Sequence, residues 1–182
     1  MKVMIERAAL LKAMSRAQGV VERKNTIPIL ANVLLEAEGE QLSLRATDLD
    51  IEIIETLPAR IEQAGTTTVA AHLLHDIVRK LPEGAELTLK TEQEKAQLDV
   101  RAGRSRFNLA TLPREDFPVM ASSEYDCSYS AQAPVLRRLF DKSKFAVSTE
   151  ETRYYLNGVY LHPAEREGAP VLRAVATDGH RL

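Results

Sequence analysis

Near the start of the chain, Leu10, Met14, Ala17 and Val21 fall on one helical stripe, and Arg7, Lys12 and Arg16 lie off it. That spacing predicts an amphipathic helix over residues 6–21 with a basic outer face. Pro28, in NTIPIL, interrupts the pattern. NVLLEAEGEQLSLRATDLDIEIIETL then predicts a strand, a turn at Glu38-Gly39-Glu40, a second strand and an alternating stretch. In DIEIIE, apolar and acidic positions alternate as in a half-buried strand. TTTVAAHLLHDIVRKLPEG predicts a short strand and then a helix, with Leu74, Ile77, Val78 and Leu81 on one side and Pro82 and Gly84 as its stop. Three more short strands are expected in AELTLKTEQEKAQLDVRAGRSRFNLATLP.

PREDFPVMASSEYD, residues 113–126, has no period and is rich in proline, acidic and small residues, so it is expected to be a linker. In AQAPVLRRLFDKSKFAVS, Leu136, Leu139 and Phe140 return to helical spacing, and Pro134 suits a first turn. Arg137, Arg138, Lys142 and Lys144 decorate the outside of that helix. RYYLNGVYLHP and VLRAVATDGHRL predict two strands joined by a loop through AEREGA.

The two halves of this pattern repeat. With an offset of 126, Leu10 meets Leu136, Met14 meets Phe140, Val21 meets Val147, Leu30 meets Leu156, Val33 meets Val159 and Leu35 meets Leu161. A second-half loop four residues longer, placed after the strand, brings Thr47-Asp48 onto Thr177-Asp178. A duplicated module is the simplest account. Because ATD recurs, its Thr and Asp are expected to cap a turn. GHRL is what differs between the copies.

The chain has 182 residues, 45% hydrophobic and 27% charged, values of a globular protein with a real core. No apolar run is long enough to cross a bilayer, and no signal peptide is evident. The single cysteine, Cys127, forms no internal disulfide and fits a reducing, cytoplasmic setting. Net charge is only −2, but it is unevenly spread. Residues 1–24 hold six basic and two acidic residues, a net +4; residues 137–144 are +3; residues 36–62 hold eight acidic and two basic residues, a net −6. Basic helices set against acidic strands suit phosphate contacts that ignore base sequence.

An Asp178–His180 pair suggests acid–base or metal chemistry, but neighbours in a strand or turn point apart, and His72, His75 and His162 are scattered. No phosphate loop, zinc spacing or nucleophile elbow occurs. A third reading is a binding pocket edged by Leu156, Gly179 and Leu182 with His180 and Arg181 as its polar rim. A base-reading DNA module finds no recognition helix or zinc unit here.

TIPILANVLLEA, LSLRATDLDIEI, LPEGAEL, RSRFNLATLPREDFP, RYYLNGVYL and VATDGHRL, in that order, resemble the bacterial DNA polymerase III beta subunit family, the sliding clamps. The resemblance implies an α+β clamp fold of repeated domains, each with two helices inside antiparallel sheets. It implies a complete first domain over residues 1–121, a partial second over 122–182 and no third, so that this piece is not expected to close a ring alone. It implies a non-catalytic processivity factor with no cofactor. Two full-length chains would join head to tail around duplex DNA. Short motifs of the polymerase III catalytic subunit, the clamp loader, other polymerases and repair proteins would dock on it. By the same resemblance, Lys24, His72, Tyr154 and Tyr155 match DNA contacts. Leu156, Thr177, Gly179, His180, Arg181 and Leu182 match one wall of the peptide pocket, and peptide binding is expected to be weak without the opposite wall. Glu150 stands where a neutral contact is found in some members, and its carboxylate is expected to repel phosphate.

Overall fold

The computed structural model describes residues 1–21, 26–92, 95–120 and 130–182. The chain divides into two compact units, Met1–Ser122 and Ser123–Leu182. In the first unit the elements run β1 (Lys2–Glu6), α1 (Arg7–Ala17), β2 (Asn32–Glu38), β3 (Gln41–Thr47), β4 (Glu52–Pro58), β5 (Arg60–Gln63), β6 (Gly65–Ala70), α2 (Ala71–Lys80), β7 (Glu86–Glu92), β8 (Gln97–Ala102) and β9 (Ser105–Ala110). They form two antiparallel sheets, of order β5-β1-β7-β8-β9 and β4-β3-β2-β6.

Period-two alternation supplies the core. Val3 and Ile5 of β1, Leu42, Leu44 and Ala46 of β3, Leu87 and Leu89 of β7, and Leu98 and Val100 of β8 are all buried. The helices add one apolar side each, Leu10, Ala13, Met14 and Ala17 from α1 and Ala71, Leu74 and Val78 from α2, and all belong to the same cluster. α1 packs beside α2, and the Arg7 guanidinium donates to the carbonyls of Val78 and Arg79 at the C-terminal end of α2. A smaller cluster of Ile29, Leu30, Leu34 and Phe117 sits apart from the main one.

Three expectations change here. The first strand was missed: Lys2–Glu6 pairs with both β5 and β7 and runs directly into α1, which is shorter than the predicted 6–21. β5 was also missed; β4 belongs to one sheet and β5 to the other, with Pro58 and Ala59 at the crossing. Residues 113–120 are not free linker. Phe117 is buried, and the preceding Leu112 exchanges hydrogen bonds with the Thr68 hydroxyl at 2.8 and 3.0 Å. The rest of that stretch, with Cys127, lies outside the described residues.

The second unit holds α3 (Ala133–Ser143), a 3-10 turn at Lys144–Ala146, a 3-10 segment at Glu151–Leu156, and the hairpin β10 (Tyr160–Arg166) and β11 (Ala169–Val175). The strand expected at 153–163 begins only at Tyr160. The predicted loop at 164–169 is instead paired through Arg166↔Ala169, with a two-residue turn. Both turn residues, Glu167 (φ 54°) and Gly168 (φ 76°), are left-handed, the backbone that matches strand twist in a tight hairpin.

The repeat is visible in these bounds. α1 and α3 differ by 126 at both ends, whereas β2-β3 and β10-β11 differ by 128. Both hairpin turns have two residues, Gly39-Glu40 and Glu167-Gly168, so the four extra residues are not a longer hairpin loop. Two precede β10 and two follow β11. The predicted strand matches were therefore slipped by two, a shift that keeps every residue on its own face and so preserves apolar-to-apolar pairing.

One buried charge stiffens the first unit. The Asp99 side chain is 1% exposed and accepts from Arg101 Nε at 2.7 Å and Arg106 Nε at 2.8 Å. Burial pushes its pKa up, but the two guanidinium groups outweigh that and hold it below the ordinary carboxylate range. Replacing both Arg101 and Arg106 by alanine strands this carboxylate. The expected cost, read by urea unfolding at pH 7, is about 2–3 kcal/mol, below the full value for a buried pair because both arginines are half exposed. A loss under about 1 kcal/mol would mean that the freed carboxylate reaches water.

Candidate functional site

The tail of the second unit folds into a turn built by Thr177 and Asp178. The Thr177 hydroxyl accepts from the Gly179 amide at 3.0 Å and donates to the Arg181 carbonyl at 2.8 Å. Asp178 Oδ1 accepts from the amides of His180 (2.9 Å) and Arg181 (3.1 Å), and Oδ2 accepts from Arg181 Nε at 2.8 Å. The first unit repeats this construction. Thr47 Oγ1 accepts from the Leu49 amide at 3.0 Å, and Asp48 Oδ1 accepts from the amides of Asp50 and Ile51 at 3.0 and 2.7 Å. Leu49 (φ 84°) and Gly179 (φ 91°) hold the same left-handed position. The expected capping role of ATD is met in both copies, and the chemistry differs only in what the caps present.

In the second copy the caps present Gly179, His180 and Arg181 to solvent. The Arg181 guanidinium also lies 5.9 Å from the Phe145 ring centre. An apolar groove of about 600 Å³ lies in this unit, lined among others by Leu139, Phe145, Val171, Leu172, Val175 and Leu182. Thr177, Gly179, His180, Arg181 and Leu182 thus share one short segment, and Leu182 reaches the groove. Leu156 does not line it; this residue is half-buried and its carbonyl accepts from the Ser148 amide at 3.1 Å. Phe145 escaped the sequence reading because it was absorbed into the preceding helix; its position, off the stripe of Leu136, Leu139 and Phe140, was the available signal.

The 3-10 segment Glu151–Leu156 carries the tyrosine pair. Tyr154 and Tyr155 are 78% and 71% exposed, with rings edge to face at 5.9 Å. Their backbone is tied down while the rings stay in water. Ser148 Oγ accepts from the Glu150 amide, and the Asn157 amide donates to the Tyr154 carbonyl. Arg153 grips Glu150 through both carboxylate oxygens. That bidentate contact holds Glu150 below its ordinary pKa and neutralises the charge expected to repel phosphate. The Arg153 head also lies 2.9 Å from where a Cβ on Gly179 would stand, so the tyrosine segment and the ATDGHR turn adjoin.

The remaining expected DNA contacts stand elsewhere. His72, on the first turn of α2, is half-buried and donates from Nε2 to the Val21 carbonyl at 3.0 Å; its Nδ1 is buried without a partner among the described residues. Its ring ties α2 to the chain after α1 instead of facing solvent freely. Lys24 lies outside the described residues. The basic helix faces are also less bare than composition suggests. Arg7 caps α2, Arg16 pairs with Glu55 at 2.6 Å, and Lys144 pairs with Asp141 at 2.6 Å. Lys12, Lys80, Arg138 and Lys142 have no ion-pair partner among the described residues.

A helix, a strand pair and a carboxylate-capped turn, repeated along the chain and in the first unit packed with a second helix and a second sheet, define an α+β DNA-clamp module. The chain belongs to the DNA polymerase III beta subunit family: residues 1–121 match the family's N-terminal domain and residues 131–182 its central domain. It is 57% identical over 182 residues to the beta sliding clamp of Caulobacter vibrioides, covering 100% of this chain and 49% of that protein. Against the beta sliding clamp of Pseudomonas aeruginosa it is 45% identical over 179 residues, 98% of this chain and 47% of the relative. Among solved structures, Caulobacter crescentus pol III beta superposes with a TM-score of 0.93 at 56% identity, covering 99% of this chain and 48% of that one. The Bartonella birtlesii sliding clamp, solved bound to griselimycin, gives 0.93 at 45% identity, with 99% and 48% covered. The chain spans about half the length of the relatives it matches.

Two predictions test the turn. The His180 amide first, then the Arg181 amide and guanidinium, lower the Asp178 pKa to about 2. A depressed carboxylate pKa means that the capping is complete above about pH 4, the unfolded value, and is lost as the pH falls through about 2. The His180 and Arg181 amide shifts should therefore titrate near pH 2; a midpoint near 4 would mean that the caps are not made. Gly179→Ala places a Cβ against Arg153 and strains a left-handed residue by about 1–2 kcal/mol. Hydrogen exchange at His180 and Arg181 should quicken by about 5- to 30-fold. Unchanged exchange would show that the turn is not held by its glycine.

Proposed function

We propose that this chain is the first part of a sliding clamp, the ring that encircles duplex DNA and tethers the replicative polymerase. The observation that carries the reading is similarity along the whole chain, with both family domains in order. Three features support it. Helices bearing Lys12 and Lys80 in the first unit, and Arg138 and Lys142 in the second, none with an ion-pair partner among the described residues, offer sparse, sequence-blind phosphate contacts. The exposed Tyr154–Tyr155 pair offers flat rings to a passing backbone or base. The sheets end in the edge strands β4, β5, β6 and β9, each with a strand neighbour on one side only among the described residues, edges on which sheets of adjoining domains or of a second chain can continue.

On this reading the protein is not an enzyme. Asp178 is not an available general base, since its oxygens are already engaged by the His180 and Arg181 amides and the Arg181 side chain. No group of three or more potential metal ligands converges among the described residues. Processivity comes from topology: a ring that cannot fall off needs only weak contacts, and weak contacts let it slide. DNA contact falls to Lys24, Tyr154 and Tyr155, while His72, its ring engaged by the Val21 carbonyl, acts by holding the chain after α1 in place. Thr177, Gly179, His180, Arg181 and Leu182 form one wall of a docking pocket for short motifs of the polymerase III catalytic subunit, the clamp loader, other polymerases and repair proteins, with Leu156 on the adjoining tyrosine segment. Full-length chains pair head to tail, and the place of action is the cytoplasm, where bacterial DNA is. No helix is long and apolar enough to cross a membrane among the described residues.

The test is fluorescence anisotropy with two 30-base-pair duplexes of unrelated sequence. Binding should be weak and equal for both. It should fall roughly 10- to 40-fold between 50 and 200 mM salt, the response to two or three phosphate contacts. Replacing Tyr154 and Tyr155 by serine should weaken it several-fold with no change in thermal midpoint, because both rings are in water. A tenfold preference for one duplex would sink the reading.

A further inference from the structure

The first copy of the capped turn is a candidate site in its own right. At the positions of Gly179, His180 and Arg181 it carries Leu49, Asp50 and Ile51, on a backbone fixed by the same caps. Leu49 and Ile51 are 50% and 56% exposed, and Ile54, on the outer face of β4, is 51% exposed. Leu49 is also held left-handed, a strained setting for a large side chain, and it spends that strain pointing an aliphatic group into water. Alternation in DIEIIE predicted apolar residues inward. Instead the half-buried Glu55 is paired to Arg16 and Glu52 to Arg45, while Ile51 and Ile54 face out.

Charge separates the two copies. In the second, Arg181 cancels Asp178. In the first, Ile51 stands where that arginine would be, and neither Asp48 nor Asp50 has a cationic partner among the described residues. Three exposed aliphatic groups within six residues, flanked by these two carboxylates, call for a partner that is both aliphatic and basic. We propose that the Thr47–Ile54 turn docks a short protein segment in which leucine-like side chains alternate with lysine or arginine. The two turns of this chain thereby select partners of different charge from one backbone design.

The whole 182-residue chain, isotopically labelled, is titrated at 150 mM salt with three nine-residue peptides: leucine alternating with lysine, leucine alternating with glutamate, and serine alternating with lysine. The Leu-Lys peptide should shift the amides of residues 47–54 and bind at least 10-fold more tightly than either other peptide. Ile51→Ser and Asp50→Lys should each weaken it at least 5-fold, and Asp50→Lys should narrow the preference over the glutamate peptide. Both positions are exposed and make no side-chain cap, so an unchanged thermal midpoint verifies the fold; Asp48 is left intact because it closes the turn. Equal binding of the serine and leucine peptides, equal binding of the two leucine peptides, or shifts mapping elsewhere would overturn the proposal. So would concentration-dependent self-association lost in Ile51→Ser, which would assign the face to a second copy of the chain.

Discussion

Each strand of the first unit must give one face to a filling shared by two sheets and two helices. That single constraint decides where everything polar can go. Leu42, Leu44 and Ala46 turn inward, so Ser43 and Arg45 turn outward; α1 commits Leu10, Met14 and Ala17, so Lys12 and Arg16 are left for the other side. The outer face has its own exception. Asp99, between the inward-facing Leu98 and Val100, shares the face of Arg101 yet is buried, and it is tolerated because Arg101 and Arg106, half exposed, reach over to it with charge-assisted bonds.

The chain ends of these strand pairs obey a second, local rule. Where a strand stops, the next amides lose their ladder partners, and Thr-Asp supplies oxygens for three of them in each copy. Because most of the capping comes from the side chains of two residues, the following three can differ between the copies. One copy fills them with Leu-Asp-Ile and the other with Gly-His-Arg, on the same backbone path. Divergence between the copies therefore needed no change of fold, only a change in what a fixed turn displays.

Much of this was legible in the sequence, and the misses have physical causes. The helices, most strands, the duplication and the capping role of ATD followed from periodicity and turn chemistry. β1 was hidden because LysValMetIleGlu runs into α1 without a breaker, so an alternating stretch was read as the approach to a helix. The 3-10 segment that bears Tyr154 and Tyr155 looked like a strand because its tyrosines and Leu156 favour strands; a backbone tied by Ser148, Glu150 and Asn157 overrode that preference. Phe117 was lost among prolines and acids, since one aromatic in an aperiodic run gives no period to read. Within the candidate site, Thr177 and Gly179–Leu182 are neighbours along one capped turn, whereas His72 is spent on the Val21 carbonyl, a partner that no local pattern announces.

The pairing of charge on the helices bears on how such a surface would serve DNA. A helix face of fully unpaired arginines would hold phosphates strongly, each contact adding to the release of counterions and to the residence at one place. Here Arg7 and Arg16 of α1 and Lys144 beyond α3 are already engaged by carbonyls or carboxylates of their own unit. What remains without an ion-pair partner among the described residues of these helices is mostly lysine, a compact and well-hydrated charge without the bidentate fork that fixes a guanidinium on one phosphate. Intramolecular pairing thus thins the positive field without removing it. On the proposed reading, closure of the full-length ring around the duplex, not grip, would provide persistence, and a surface thinned in this way is one on which movement along the duplex would meet small barriers.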